Sequence, residues 1–236
     1  MPHLSLERIL HSQGFGTRRD CRHRIFAGSV TVFGDSCDNP AAEFDTRGLE
    51  FCVDGNSWRF RERAYVALNK PSGYECSHRP AHYPSVFRLL PEPLVRRGVQ
   101  CLGRLDADTS GLLLFSDDGQ FIHGLASPRR KVAKVYLVDT VKPIDDAQIA
   151  LLIGGVVLRD DPAPVRAVAC ERLRTRSLRL TIAEGKYHQV RRMIAAVGNH
   201  VAALQRVAIG AFALPADLES GHWMWLEEPV LAALRR

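Results

Sequence analysis

Nowhere in the 236-residue chain do eighteen or more apolar residues follow one another, and Met1 to Ser12 holds no apolar core of the kind a secretory signal carries. A membrane-spanning helix and an export signal are therefore not expected, and a soluble protein is. Paired cysteines are lacking as well. Cys21, Cys37, Cys52, Cys76, Cys101 and Cys170 stand singly, with no CxxC, which speaks against a zinc cage and a disulfide framework and for a reducing cytoplasm. Cys76, His78 and His82 are near neighbours, but their spacing fits no common metal site. No glycine-rich nucleotide-binding loop, internal repeat or low-complexity tract is present. No cofactor or metal is expected.

Lysine is the scarce cation. Of the 32 basic residues only five are lysine and 27 are arginine, against 26 acids, for a net charge of +6. Such a surplus suits a polyanionic partner, and arginine suits bidentate phosphate contacts and stacking on bases. Hydrophobic residues make up 46% of the chain, enough to build a core. The cations are clustered. Arg18, Arg19, Arg22 and Arg24 fall within seven positions, Arg129, Arg130, Lys131 and Lys134 form a second run, and a third spans Arg172 to Arg192.

The N-terminal part predicts two short helices followed by a hairpin. Leu6, Ile9 and Leu10 share one helical face, and Gly14 and Gly16 break the chain. Thr17 stands in N-cap position with Asp20 three residues on, a weak capping box, and Gly28 is placed to end the second helix. Val30 to Phe33 then reads as a strand with Gly34-Asp35 as its turn. The arginine cluster lies on the exposed side of the second helix, four arginines against the single acid Asp20, with no local offset to their repulsion. The segment from Leu6 to Asp35 resembles the ribosomal-protein-S-four-like RNA-binding domain, which grips RNA with a basic second helix. That resemblance implies RNA contacts for Arg18, Arg19 and Arg22.

An arginine-bearing connector around Trp58 to Arg63 marks the expected boundary, giving an RNA-binding domain over 1–60 and a second domain over 61–236. Strands are expected at 65–69, 111–116, 132–139, 177–182 and 200–204. A helix is expected at 188–197, with Val190, Met193, Ile194 and Val197 on one face. Long strands with few helices between them predict an α+β domain on a mixed, mostly antiparallel sheet.

Residues 103–115 read Gly-Arg-Leu-Asp-Ala-Asp-Thr-Ser-Gly-Leu-Leu-Leu-Phe, a polar loop with two carboxylates leading into an apolar strand. A loop anchored on a buried strand is a rigid place for a reacting group. Taken alone, Asp106, Asp108, Thr109 and Ser110 are equally good turn formers whose side chains cap backbone amides.

"GRLDADTSGLL" resembles the signature loop of the RNA pseudouridine synthases, whose first aspartate, here Asp106, is the essential carboxylate. Three further segments agree in order. "YVALNKPSGYECS" (65–77) resembles the motif that precedes that loop, and "KVYLV" (134–138) carries the family's active-site tyrosine at Tyr136. "EGKYHQVRRMIAAVGNHVAALQRVAIG" (184–210) resembles the last motif, whose basic residue, Arg191, pairs with the aspartate. The resemblance implies isomerisation of uridine without a cofactor, with Tyr136 stacked on the extruded base. Arg104 lies in the signature loop close to Asp106, and Lys70 either contacts phosphate or fixes the loop. Both are carried as RNA-contacting candidates. Tyr187, His188 and Gln189 read as polar groups entering the helix, His188 as a support residue.

An S-four-like domain joined to "GRLD" resembles the RsuA-type branch of the family. "GKYHQVRRMIAAVGNH" is similar to its small-subunit (16S) members rather than its large-subunit ones. The implied target is uridine 516 in the usual rRNA numbering, in naked 16S rRNA or an assembly intermediate, modified by a monomer. Two alternatives stand beside this: a sister synthase acting on large-subunit rRNA, and a catalytically inert ribosome-assembly RNA-binding protein.

Overall fold

A computed structural model describes residues 3–127, 130–159 and 161–235, apart from the Pro162 side chain. By backbone contacts the chain forms two compact units, residues 1–64 with 90–99, and 65–89 with 100–236. The stretch 90–99 thus belongs with the N-terminal unit, although it lies beyond residue 60 in sequence.

The first unit contains β1 (His3–Ser5), α1 (Leu6–Ser12), α2 (Arg18–Phe26), β2 (Val30–Val32), β3 (Asp35–Ser36), β4 (Glu43–Asp45), β5 (Glu50–Val53), β6 (Asn56–Arg59) and α3 (Glu92–Arg96). β1 pairs with β4, and a small antiparallel sheet runs β3-β2-β5-β6. Leu6, Ile9 and Leu10 of α1, Cys21 and Ile25 of α2, and the inward residues of β2 and β5 close one core. The Thr17 capping box is complete: the Asp20 N–H donates to Thr17 Oγ1 at 3.2 Å, and the Thr17 N–H donates back to Asp20 Oδ2 at 2.9 Å. Asp20 is committed to that cap, so the arginine cluster finds its counter-charges elsewhere. Arg22 lies 3.4 Å from Glu7, and Arg24 is ion-paired with Asp54. The expectation of an unrelieved cluster is corrected to that extent. Arg18 and Arg19 stay exposed.

The second unit contains β7 (Tyr65–Lys70), β8 (Gln100–Cys101), β9 (Ser110–Ser116), α4 (Gly119–Ala126), β10 (Lys134–Thr140), α5 (Asp146–Gly154), β11 (Val156–Leu158), β12 (Asp161–Val165), β13 (Ala169–Arg174), β14 (Ser177–Ile182), α6 (Gln189–Ala196), β15 (Val201–Ile209), β16 (Phe212–Ala213), β17 (Trp223–Trp225) and α7 (Glu228–Arg235). A nine-stranded sheet runs β13-β14-β10-β15-β9-β7-β17, with β16 on β15 and β8 on β9. Its pairings are antiparallel except for β9 with β15. This is the mixed, mostly antiparallel α+β arrangement expected. The helix over 188–197 and the five expected strands are present with ends shifted by a few residues. β11, β12, β13, β17, α4, α5 and α7 were not foreseen.

β9 is buried along nearly its whole length, which suits a central strand covered on both faces. On one face its Leu112 and Leu114 pack with Phe121 and Leu125 of α4 and Leu231 and Leu234 of α7. Gly111, at the parallel junction, has φ +100, and a Cβ there would sit 2.2 Å from the Arg206 carbonyl oxygen of β15. Only glycine lets the two backbones meet so closely. The loop 102–109 opens from this tight junction. Among the described residues no helix is long and apolar enough to cross a membrane. Arg129, in the second basic run, lies outside the described residues.

Candidate active site

The loop before β9 is held from behind by a buried cation. Lys70, at the end of β7, has no solvent exposure. Its Nζ donates to the carbonyl oxygens of Pro71 (3.0 Å), Asp106 (3.2 Å), Ala107 (3.2 Å) and Thr109 (2.8 Å). Three protons shared among four acceptors gather the loop backbone around one point charge. Burial pushes the Lys70 ammonium below its ordinary pKa, and Cys76, Asp108 and Asp106 act in the opposite direction. The Gly73 N–H donates to the Ala107 carbonyl at 2.7 Å and the Leu105 N–H to Cys76 Sγ at 3.5 Å. The 70–76 turn and the loop are thus tied together. Of the two roles read for Lys70, the phosphate contact is overturned, because an ammonium enclosed by four carbonyls cannot reach a phosphate. Loop support stands.

On the open side of the loop, the Asp106 side chain is 33% exposed, with Oδ1 3.2 Å from His188 Nε2 and Oδ2 4.0 Å from Arg191 Nε. Arg191 makes its short contact to Asp108, 2.9 Å from NH2 to Oδ1, while its buried Nε has no hydrogen-bond partner. The expected partners Asp106 and Arg191 are therefore adjacent. The shorter ion pair falls on Asp108, which the sequence read as a turn former.

α6 brings Arg191 here because Val190, Met193 and Ile194 bury its other face. His188 caps the same helix in the left-handed region, at φ 46° and ψ 33°. That conformation is uncommon for any residue but glycine.

Asp106, Arg191, His188 and Tyr136 line one partly open pocket of about 190 Å³, all of whose lining belongs to the second unit. Tyr136 is 7% exposed and stands in register with Arg206 of the neighbouring strand. Arg206 is 2% exposed. Its Nε donates to the Leu112 carbonyl at 2.8 Å, and its buried NH2 has no partner. Arg104 is exposed and also on the lining. Charge around the pocket is lopsided: Arg104, Lys134, Lys186, Arg191 and Arg206 against Asp106 and Glu184. Lys186 is ion-paired with Asp161. Burial lowers the Lys134 pKa, with Arg206 adding to the effect.

Arg206 and Lys134 were missed from sequence as lining residues, and His188 was read as a support residue. A signal did exist for Arg206. It falls on the inward side of its strand with Leu204, where a charged residue is out of place unless it serves the site. His188 gave no such signal, since only the turn before α6 swings it onto Asp106. Cys76 and His78 are engaged apart from each other, Cys76 with Leu105 and His78 stacked on Phe87 at 3.7 Å. Arg18, Arg19 and Arg22 belong to the first unit.

The site thus sets Asp106, Arg191 and the buried Tyr136 around one cation-rich pocket on this mixed sheet. The chain belongs to the RNA pseudouridylate synthase family, whose model matches residues 64–196, and it is an RNA pseudouridine synthase of the RsuA type. The ribosomal small subunit pseudouridine synthase A of Escherichia coli (strain K12) is 38% identical over 225 residues, covering 94% of this chain and 96% of that protein. The protein of the same name from Pasteurella multocida (strain Pm70) is 33% identical over 234 residues, covering 99% and 100%. A crystal structure of a pseudouridylate synthase aligns with a TM-score of 0.70 at 32% identity, covering 98% of this chain and 99% of that one.

Proposed function

We propose that the enzyme converts one uridine of 16S ribosomal RNA, uridine 516 in the usual numbering, to pseudouridine. It acts as a monomer in the cytoplasm on rRNA or a small-subunit assembly intermediate. The observation that carries this reading is the convergence of Asp106, Tyr136 and Arg191 on one pocket. The small-subunit target is supported by full-length similarity to proteins named for that subunit.

The reaction breaks the bond from N1 of uracil to the ribose C1′, turns the base, and rejoins C1′ to C5. The C5 proton is lost and N1 gains one. No electrons are exchanged with a second molecule, so side chains suffice. Glycosidases need two carboxylates because one must protonate a poor leaving group. Uracil can leave as a stabilised anion, and one carboxylate, Asp106, serves the ribose side. Arg191 orients Asp106 through the loop, sharing its charge between Asp108 and Asp106. Extruding the base from its stack costs a few kcal/mol, which stacking on Tyr136 offsets. The cations of the pocket favour the detached uracil anion. In the first unit, Arg18, Arg19 and Arg22 contribute phosphate contacts.

The test is to map pseudouridine in small- and large-subunit RNA after treatment with the purified enzyme. Modification confined to 16S rRNA is expected, and modification confined to the large subunit would overturn the substrate. Asp106→Asn is expected to abolish isomerisation while leaving RNA binding largely intact. Full activity in that variant would overturn the site.

A further inference from the structure

The Tyr187 side chain has no part in the reaction as described, yet it is one of the most exposed large side chains of the protein, at 76%. Its ring is stacked on that of His188, with centroids 3.8 Å apart and planes 19° from parallel. His188 Nε2 in turn lies 3.2 Å from Asp106 Oδ1. Lys186 and His188, on either side of Tyr187 in the chain, line the pocket, whereas Tyr187 does not. The ring is therefore at the rim, one face against His188 and the other open. The left-handed backbone of His188 (φ 46°) makes this stack of adjacent residues possible, and a non-glycine residue held there is a common mark of a functional constraint.

We infer that the Tyr187–His188 stack is a docking platform for the nucleobase next to the target uridine. The inference rests on the assignment of the Asp106 pocket as the reacting centre. Extruding the target base leaves its chain neighbour without a stacking partner. An aromatic ring at the rim replaces that partner, and aromatic stacking accepts any base because every base has a π-face. The surrounding charge suits a flanking phosphate, with Arg104 exposed on the pocket lining. A base seated on Tyr187 also presses on His188, so docking of the neighbour bears on the carboxylate that reacts. Tyr187 thus contacts the RNA, and His188 is a positioning residue for Asp106.

The experiment uses the full-length enzyme and a small-subunit rRNA fragment spanning the mapped target uridine. Three forms are made: native flanks, an abasic 5′ neighbour, and an abasic 3′ neighbour. Affinity is measured for wild type, Tyr187→Ala and Tyr187→Phe. Tyr187→Ala should weaken binding of the native RNA by roughly 5- to 100-fold, and Tyr187→Phe should retain it, because the ring and not the hydroxyl stacks. With one of the abasic RNAs, wild type should bind as weakly as the alanine variant binds native RNA, and the mutation should then change affinity by less than about twofold. Equal binding of native RNA by wild type and Tyr187→Ala would overturn the inference. So would an equal penalty on all three RNAs, which would leave the ring as mere support for His188. Turnover of native RNA by wild type and its loss in Asp106→Asn check the underlying assignment separately. Thermal melting of Tyr187→Ala, expected to match wild type, excludes misfolding.

Discussion

Lys70 shows how much can rest on one side chain. Four loop carbonyls converge on its Nζ, which has no solvent exposure. Ala107 and Asp106 keep the N–H groups of Gly73 and Thr109, but removing Lys70 takes this donor from the Pro71 and Thr109 carbonyls. Leaving a buried acceptor unsatisfied costs about 1–3 kcal/mol. Lys70→Met, which keeps most of the volume, is expected to destabilise the enzyme by that order in denaturant unfolding. It should also lower turnover more than RNA affinity, because the loop carrying Asp106 loosens. Glu75 holds its own turn in a similar way, accepting the N–H groups of Ala81 (3.0 Å), His82 (2.7 Å) and Tyr83 (2.9 Å). These bonds hold its carboxyl below the usual glutamate pKa. A depressed folded-state pKa means that the stabilisation is complete above the unfolded-state value and fades as pH falls through the folded one. Glu75→Gln should therefore be less stable than wild type at neutral pH, and the gap should narrow under acid conditions below the ordinary glutamate range. A gap that widens on acidification would contradict this assignment.

Among the elements, the β9–β15 junction and α2 carry the consequences. Gly111 has both a positive φ and the Arg206 backbone in its way. Gly111→Ala adds backbone strain to a clash and should cost roughly 2–5 kcal/mol, seen as a lowered unfolding midpoint. It should also shift Arg206, whose Nε is bonded to the next residue's carbonyl, Leu112. On α2, the arginines are not equivalent. Arg22 is drawn to Glu7 and Arg24 to Asp54, while Arg18 and Arg19 are exposed. Replacing Arg18 and Arg19 by alanine should weaken RNA binding and flatten the slope of log affinity against log salt by about 0.7–0.9 per lost phosphate contact. Adding Arg22→Ala should contribute less. An unchanged salt slope in the double variant would rule α2 out as an RNA grip.

For the molecule as a whole, the charge is divided between tasks that its sum of +6 conceals. The pocket gathers five cations around two carboxylates, whereas arginines such as Arg172 and Arg179 pair with Asp146 and Glu171 on the surface. Raising ionic strength should therefore weaken RNA association steeply. It should leave the rate of a pre-formed complex, measured by single turnover, much less affected, since charges buried in the protein or covered by bound RNA are screened far less than exposed ones. Equal salt sensitivity of both would argue that the pocket field is open to solvent.

What the sequence by itself determined is local. The Thr17–Asp20 capping box, the apolar stripe of α6 and the strand over 177–182 depend on residues a few positions apart, and each formed as read. The loop 103–110 was legible locally only as turn formers before an apolar strand, and the resemblance of its contiguous motif, not its spacing, singled out Asp106. Only the tertiary structure decided the rest. It set the strand order, the parallel meeting of β9 and β15, and the place of 90–99 in the first unit. It also turned Lys70 inward, set Arg191 on Asp108 as well as Asp106, and swung His188 onto the carboxylate. The physical reason is that helix period and turn chemistry are short-range, whereas the partner of a buried charge is whatever polar group the fold delivers to it across many residues of chain.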